Sequence, residues 1–127
     1  DFISICLGII NETLDQVIVR FTNQATVCKY AVPNGYPDRP IRGKPINVSN
    51  VENSDRLFYA SVDTKDGQLV EAGSRTVAMI GMANTISEAE KIAEKEISSV
   101  KGPLFHRTDI GTDLLIHKKV KHMESLR

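Results

Sequence analysis

The sequence predicts an α+β domain: a mostly antiparallel β-sheet carries one helix in the C-terminal half of the chain, and a separate helix lies at the N-terminus. Three observations lead to this prediction. Short runs rich in Val, Ile and aromatic residues are separated by turn signals such as Asp66-Gly67. An amphipathic pattern follows at residues 86–100, and a strongly apolar stretch with helical spacing opens the chain at residues 2–10.

Composition limits the classes of function. With 127 residues, 41% hydrophobic and 25% charged, the chain fits one ordinary globular domain. Sixteen basic and sixteen acidic residues give zero net charge, so we expect neither a nucleic acid nor a membrane as partner. Cys6 and Cys28 lie in apolar stretches without a secretory signal or a long apolar span. We therefore expect two buried free thiols in a cytoplasmic protein.

The N-terminal third predicts one helix and two strands. The chain opens at Asp1 without a methionine, and we interpret it as a fragment. Residues 2–10 are apolar on most sides, which predicts a helix that packs against a covering partner. Residues 17–21 alternate as a short strand, and residues 25–32 form a second run suited to a sheet interior.

Residues 33–45 are dense in amino acids that stop regular structure, which predicts a loop. They contain four prolines, two glycines, and the three cations Arg39, Arg42 and Lys44. A rigid cationic loop is suited to binding an anion. The alternative is a surface connector whose charges keep it solvated, and the loop alone does not decide between them.

Residues 56–62 predict a further strand, and residues 63–67 predict the turn that leads into an antiparallel meander. A second break at residues 72–74 precedes residues 76–82, a run rich in Val, Ile and Met that predicts a buried central strand. Arg75 stands between this break and this run. It is either a solvated surface arginine or an anion ligand, because a guanidinium binds phosphate or carboxylate through two parallel hydrogen bonds.

The clearest helix spans residues 86–100, with Thr85 as its cap and Glu88 as the partner in a capping box. Its apolar stripe predicts packing of one face on the sheet. The stripe consists of Ile86, Ala89, Ala93, Ile97 and Val100. Residues 114–127 predict a solvated or frayed tail, and the spacing of His117 and His122 does not indicate a metal site. No catalytic constellation is present in the sequence.

Several short motifs follow one another in a specific order. They are Ala-x-Val-Cys at residues 25–28, Gly-Tyr-Pro at 35–37, Asp-Gly at 66–67, Gly-x-Arg at 73–75, Thr-x-x-Glu-Ala at 85–89 and Arg-x-Asp-Ile-Gly at 107–111. This series resembles the C-terminal domain of the phosphoribosylamine–glycine ligases, also called glycinamide ribonucleotide synthetases. The resemblance covers about residues 25–111 and implies the hybrid-motif domain of an ATP-grasp enzyme.

The resemblance implies a division of the chain and a reaction. Residues 1–22 would end the preceding ATP-grasp domain, 23–113 would form the substrate-facing domain, and 114–127 would be a tail. Such enzymes use ATP and Mg²⁺ or Mn²⁺ to activate glycine as glycyl phosphate, which the amine of 5-phosphoribosylamine attacks in purine biosynthesis. ATP and metal would bind mainly outside these residues, so the fragment alone is expected to be inactive. The alternatives are another ATP-grasp enzyme, such as a carboxylase, or a stand-alone binding or scaffold module.

The resemblance also implies a phosphoribosyl-binding site, with the rest of the ligase chain as a partner. Its residues match the family's Gly-Tyr-Pro loop, basic loop and glycine-arginine turn: Gly35, Tyr36, Pro37, Arg42, Gly73, Ser74 and Arg75. No residue is assigned a catalytic or metal-binding role. We interpret Arg107 and Asp109 as a structural pair that holds the end of the domain, because no separate ligand argument supports them.

Overall fold

The computed structural model describes residues 1–126, and over this range it is an α+β protein with three helices and six strands. The elements are α1 (Phe2–Ile10), β1 (Ala25–Pro33), β2 (Leu57–Tyr59), β3 (Val62–Lys65), β4 (Gln68–Glu71), β5 (Val77–Ala83), α2 (Ile86–Ser99), β6 (Leu104–His106) and α3 (Asp113–Glu124). Single 3₁₀ turns lie at Leu14–Gln16 and Ser54–Arg56. The predicted fold class is confirmed.

Four strands form one antiparallel sheet in the order β2-β5-β1-β6. The prediction that the second apolar run is a buried central strand is confirmed, because β5 pairs with β1 on one side and β2 on the other. The predicted meander is wrong. The run at residues 56–62 is interrupted at Ala60 and Ser61, so β2 pairs directly with β5, and β3 and β4 form a separate hairpin.

Helix α2 covers one face of the four-stranded sheet, as the amphipathic pattern predicts. The capping box is present: Thr85 Oγ1 accepts from the Glu88 N–H at 3.2 Å, and Glu88 Oε2 accepts from the Thr85 N–H at 3.2 Å. The helix lies directly on the strands, because a Cβ added to Gly81 of β5 would be 1.9 Å from the Ala89 carbonyl oxygen. Only a glycine at position 81 permits this approach.

The hydrophobic core lies between α2 and the sheet. Alternate residues of β1 and β5 point toward the helix, and Ile46 and Leu57 extend the core at one end. The buried apolar residues of this layer are Val27, Ala31, Ile46, Leu57, Val77, Met79, Ala89, Ala93 and Ile97. Ile86, at the start of the predicted stripe, remains exposed.

Helix α1 leaves an apolar surface open to solvent. Phe2, Ile3, Leu7, Ile9 and Ile10 are each more than half exposed, and Gly8 is the one buried residue of the helix. The helix packs mainly against the following turn at Leu14–Gln16. The predicted helix is therefore present, and the described residues leave its apolar surface open, while the domain that would cover it stays a prediction.

Two predictions for the N-terminal third are wrong: the strand at residues 17–21 and the burial of both thiols. Residues 17–21 form no strand, and Ile18 and Phe21 are 78% and 89% exposed, because no sheet edge lies beside them to pair with. Cys28 is exposed rather than buried, since its position in β1 directs it away from α2, whereas Cys6 is half-buried. Both thiols are free.

The C-terminal part is more regular than predicted. The segment after α2 contributes β6, which pairs with the end of β1. The predicted frayed tail is a helix, α3, whose N-cap Thr112 accepts from the Leu115 N–H at 3.3 Å through its hydroxyl. Of residues 1–126, no helix has the length and hydrophobicity needed to cross a bilayer.

Candidate functional site

A cleft of about 590 Å³ opens on the face of the sheet that α2 does not cover. Its floor is made by alternate residues of β1, and its walls come from the loop after β1, the turn before β5, and the segment around β6. The lining residues are Cys28, Tyr30, Val32, Tyr36, Pro37, Arg75, Phe105, Arg107 and Ile110. Three residues of the predicted site, Tyr36, Pro37 and Arg75, therefore meet in one place.

Arg75 lies at the mouth of this cleft on a backbone that is held in place. Its carbonyl oxygen accepts from the Ser61 N–H at 2.8 Å, and the following residue, Thr76, donates its N–H to the Ala31 carbonyl at 3.0 Å. The guanidinium carbon lies 5.8 Å from the centroid of the Tyr30 ring, within the range of a cation–π contact. Arg75 is exposed and forms no ion pair within residues 1–126, so its charge faces the cleft without a carboxylate partner.

Arg107 supplies a second guanidinium to the same cleft. Its Nε and Nη2 donate to the two carboxylate oxygens of Asp109 at 2.9 and 2.7 Å. This bidentate pair raises the pKa of Arg107 and lowers the pKa of Asp109 relative to their ordinary values. Ala31 of β1 pairs with His106, the last residue of β6, and Arg107 follows directly after this pair. Tyr30, Arg75 and Arg107 therefore line one cleft.

The Gly-Tyr-Pro loop presents its last two residues to the cleft and uses the first to turn. Gly35 has φ +84°, and a Cβ there would lie 2.2 Å from the Arg39 carbonyl oxygen. The Arg39 N–H donates to the Gly35 carbonyl at 2.8 Å, and the Tyr36-Pro37 peptide bond is cis. Gly35 itself does not line the cleft; it shapes the loop that brings Tyr36 there.

Gly73, Ser74 and Arg42 are not among the lining residues. A Cβ at Gly73 would lie 2.1 Å from Ser61 Oγ, so this position requires glycine for packing. The Arg42 loop approaches the same turn through its backbone, because the Gly43 N–H donates to the Glu71 carbonyl at 2.7 Å. The expected convergence of the Arg42 and Arg75 side chains in one pocket is not observed.

The lining favours a small anion that carries an apolar or sugar-like body. None of the nine lining residues is acidic, two are arginines, and three are aromatic. Although Cys28 is exposed, partial desolvation by its neighbours raises the pKa of its thiol above the ordinary value, which favours the neutral thiol near pH 7. Guanidinium groups bind phosphate or carboxylate oxygens, and aromatic faces pack against the C–H surface of a sugar. No group of three or more potential metal ligands occurs within residues 1–126.

A buried ionic network lies on the other side of β1, between the strand and α2. The Lys29 side chain is 0% exposed, and its Nζ donates to Glu90 Oε1 at 2.6 Å, to Glu94 Oε2, and to the Thr108 carbonyl at 2.9 Å. Glu94 also contacts His106 Nε2 at 3.0 Å. Burial alone would lower the pKa of Lys29, but hydrogen bonds to the two glutamates raise it above its ordinary value.

Some residues that line the cleft were not predicted, although the alternation of residues along β1 indicated on which face they lie. The alternation along β1 places Cys28, Tyr30 and Val32 on one face and Val27, Lys29 and Ala31 on the other. Phe105 and Arg107 follow the same alternation in the segment around β6. The missing information was the pairing of β6 with β1, which brings these two side chains beside Tyr30.

Comparison with known proteins gives consistent results. Residues 26–113 match the family model described as phosphoribosylglycinamide synthetase, C domain. A phosphoribosylamine–glycine ligase of Methanocaldococcus jannaschii is 48% identical over the whole chain, and one of Methanococcoides burtonii is 46% identical over the whole chain. In both cases the chain spans 29% of the relative's length.

A solved structure agrees with these sequence matches. The crystal structure of a phosphoribosylamine–glycine ligase from Thermotoga maritima superposes with a TM-score of 0.58 and 33% identity, over 64% of this chain and 20% of that protein. The order of motifs, the antiparallel fold and these matches agree, and the chain belongs to the family of the phosphoribosylglycinamide synthetase C domain.

Proposed function

We propose that this chain is the substrate-facing part of an ATP-dependent ligase that joins glycine to 5-phosphoribosylamine in purine biosynthesis. The observation that carries the proposal is the cleft in which Arg75 meets the Tyr36-Pro37 loop, because two motifs of the family converge there from distant parts of the chain. The phosphate of phosphoribosylamine is an anion on a sugar, which is the class of ligand that this lining suits.

The proposal divides the chain into three parts. Residues 1–22 end the preceding ATP-grasp domain, residues 23–113 form the substrate-facing domain, and residues 114–127 follow it. The apolar surface of α1, which is exposed within the described residues, supports the first assignment. The partner of that surface is then the remainder of the ligase.

In the proposed reaction the carboxylate of glycine attacks the γ-phosphorus of ATP, ADP leaves, and glycyl phosphate forms. The amine of phosphoribosylamine then attacks the carbonyl carbon, the nitrogen loses one proton, phosphate leaves, and an amide forms. We assign the binding of ATP and of Mg²⁺ or Mn²⁺ mainly to the rest of the enzyme, as the resemblance to the ligase family implies. The role of this chain is to hold the sugar phosphate so that its amine is aimed at the acyl group.

The test is steady-state kinetics of the complete ligase with Arg75→Ala, varying each substrate separately. We expect KM for phosphoribosylamine to rise about 10- to 100-fold, because a charge-assisted phosphate contact contributes roughly 1.5–3 kcal/mol. KM for ATP and KM for glycine should stay unchanged. Arg75→Lys should restore part of the affinity, because an ammonium cannot make the two parallel hydrogen bonds of a guanidinium.

Arg42→Ala is the matched control for loss of a nearby exposed arginine. Because Arg42 does not line the cleft, its variant should leave KM for phosphoribosylamine close to that of the wild type. An unchanged KM in the folded Arg75→Ala enzyme would return Arg75 to the role of a surface arginine at a strand end and overturn the proposal for this cleft.

A further inference from the structure

We infer that Arg107 is a second anion-binding residue of the cleft. This inference rests on the proposed function and extends it to a segment whose Arg-Asp pair the sequence indicates to be structural. Both arginines line one cleft. Arg75 lies in the turn before β5, and Arg107 is the first residue after β6.

The geometry of the Arg107-Asp109 pair leaves donors available. Asp109 engages Nε and one hydrogen of Nη2, which is the side-on edge of the guanidinium. A guanidinium has five N–H donors, so both hydrogens of Nη1 and the second hydrogen of Nη2 remain for a ligand. Asp109 therefore fixes the plane of the group and leaves its far edge free to bind two oxygens of a phosphate.

Arg107 also has a rigid backbone on both sides. The preceding residue, His106, pairs with Ala31 of β1 and contacts Glu94 of α2. The carbonyl of the following residue, Thr108, accepts from Lys29 Nζ at 2.9 Å. Because Lys29 is also held by two glutamates of α2, the segment that carries Arg107 is tied to the core of the domain.

The two guanidiniums share the cleft with one aromatic ring. Arg75 lies over the Tyr30 ring at 5.8 Å, and Arg107, which follows the last residue of β6 that pairs with β1, lines the same cleft. A phosphate dianion bound by both would meet two guanidiniums, of which Asp109 offsets part of the charge of Arg107, while the sugar packs against Tyr30 and Phe105. Two fixed cations match a dianion better than one, because the second negative charge would otherwise be desolvated without a partner.

The experiment uses Arg107→Ala and Arg107→Lys in the complete ligase, with Arg75→Ala measured in parallel and Lys65→Ala as a control that removes an exposed cation of β3 outside the cleft. We expect Arg107→Ala to raise KM for phosphoribosylamine about tenfold, with KM for ATP and glycine unchanged. Arg107→Lys should give a smaller rise, and Lys65→Ala should behave as the wild type.

Asp109→Asn keeps the charge of Arg107, so its effect on this KM should be smaller than that of Arg107→Ala.

The outcomes separate this inference from the function on which it rests. If Arg75→Ala raises KM for phosphoribosylamine and neither Arg107 variant does, the second anion ligand is rejected and the proposed function stands. If no arginine variant changes that KM, both fail. A purely structural Arg107-Asp109 pair would make Arg107→Ala and Asp109→Asn lower the thermal unfolding midpoint equally with this KM unchanged, which also rejects the inference. Should Arg107→Ala not fold, the KM of the Arg107→Lys enzyme decides.

Discussion

Cations lie on both sides of strand β1, but in opposite environments. On the face toward α2, the cation Lys29 is completely buried and is bonded to Glu90, Glu94 and a backbone carbonyl. On the face away from α2, Arg75 and Arg107 border a cleft that has no acidic lining residue. Strand β1 therefore has a buried ionic network on one side and a candidate binding site on the other.

The difference between the faces indicates that burial, rather than charge or pairing, separates the structural cation from the candidate binding ones, because Arg107 is paired with Asp109 and its side chain is still exposed. A buried ammonium must satisfy its donors within the protein, because an unpaired buried charge is strongly unfavourable. An exposed guanidinium keeps its hydration and needs no internal partner, so it remains available to a ligand. Three predictions test this contrast through the stability of the chain, with the largest effect first.

Lys29→Met should destabilise the chain by about 3–5 kcal/mol, because it removes the cation that Glu90 and Glu94 share in a buried site. Urea unfolding followed by circular dichroism measures this loss. Lys95→Met is the matched control, since Lys95 forms an exposed pair with Glu52 and its removal should leave the unfolding midpoint nearly unchanged. If both substitutions lowered the free energy of unfolding equally, the buried ion pair would contribute no more to stability than the exposed one.

Gly81→Ala should destabilise by about 2–3 kcal/mol, because the added methyl would overlap the backbone of α2 and force the helix away from the sheet. Cys28→Ala, on the open face of β1, is the control, and we expect little change there. Thermal unfolding of the two variants compares the faces directly. A Gly81→Ala variant with wild-type stability would show that the covered face is loosely packed.

Glu71→Gln should stabilise the chain by about 1 kcal/mol at neutral pH. Glu71 is 1% exposed, and neither of its carboxylate oxygens has a partner within the described residues. Burial raises its pKa, so the wild type loses stability as the pH rises from the ordinary value of about 4.3 toward the raised pKa. Unfolding free energies measured across this range should show the loss in the wild type and not in Glu71→Gln.

Glu96 supplies the control for this prediction, because it is equally buried but has partners. Burial acts to raise its pKa, yet hydrogen bonds from the Asn53 side chain and from two backbone N–H groups lower it below its ordinary value. Its contribution to stability is present above the ordinary pKa and is lost as the pH falls through the lowered one. Glu96→Gln should therefore destabilise the chain at neutral pH. A gain in stability would contradict the contrast between a buried carboxylate with partners and one without.

The elements predicted correctly are those with complete local signals. Thr85 and Glu88 form a capping box at the start of α2, and both halves of that signal are present in four consecutive residues. The run in β5 is apolar on both faces, as expected for a strand with neighbours on each side. The family resemblance rests on motifs in a fixed order, and three of the residues that it implies for the site, Tyr36, Pro37 and Arg75, line the cleft.

The predictions that failed depended on a partner distant in sequence. Residues 17–21 alternate like a strand, but no edge lies beside them, whereas the short β6 is a strand because the end of β1 is available to pair with it. The turn at Ala60 and Ser61 separates β2 from β3 because β2 pairs with β5 rather than with the hairpin. Local propensity does not decide such pairings.

By itself, the sequence determined the fold class, the position of α2 and the residue at which it begins, the apolar character of α1, and the arginine next to the glycine turn. Only the tertiary structure decided that Lys29 is buried among glutamates, that Arg42 lies outside the cleft, and that Arg107 shares it with Arg75. The reason is physical. Helix caps and apolar runs act through neighbours a few residues away, whereas burial and ligand geometry depend on the register between strands that are distant in sequence.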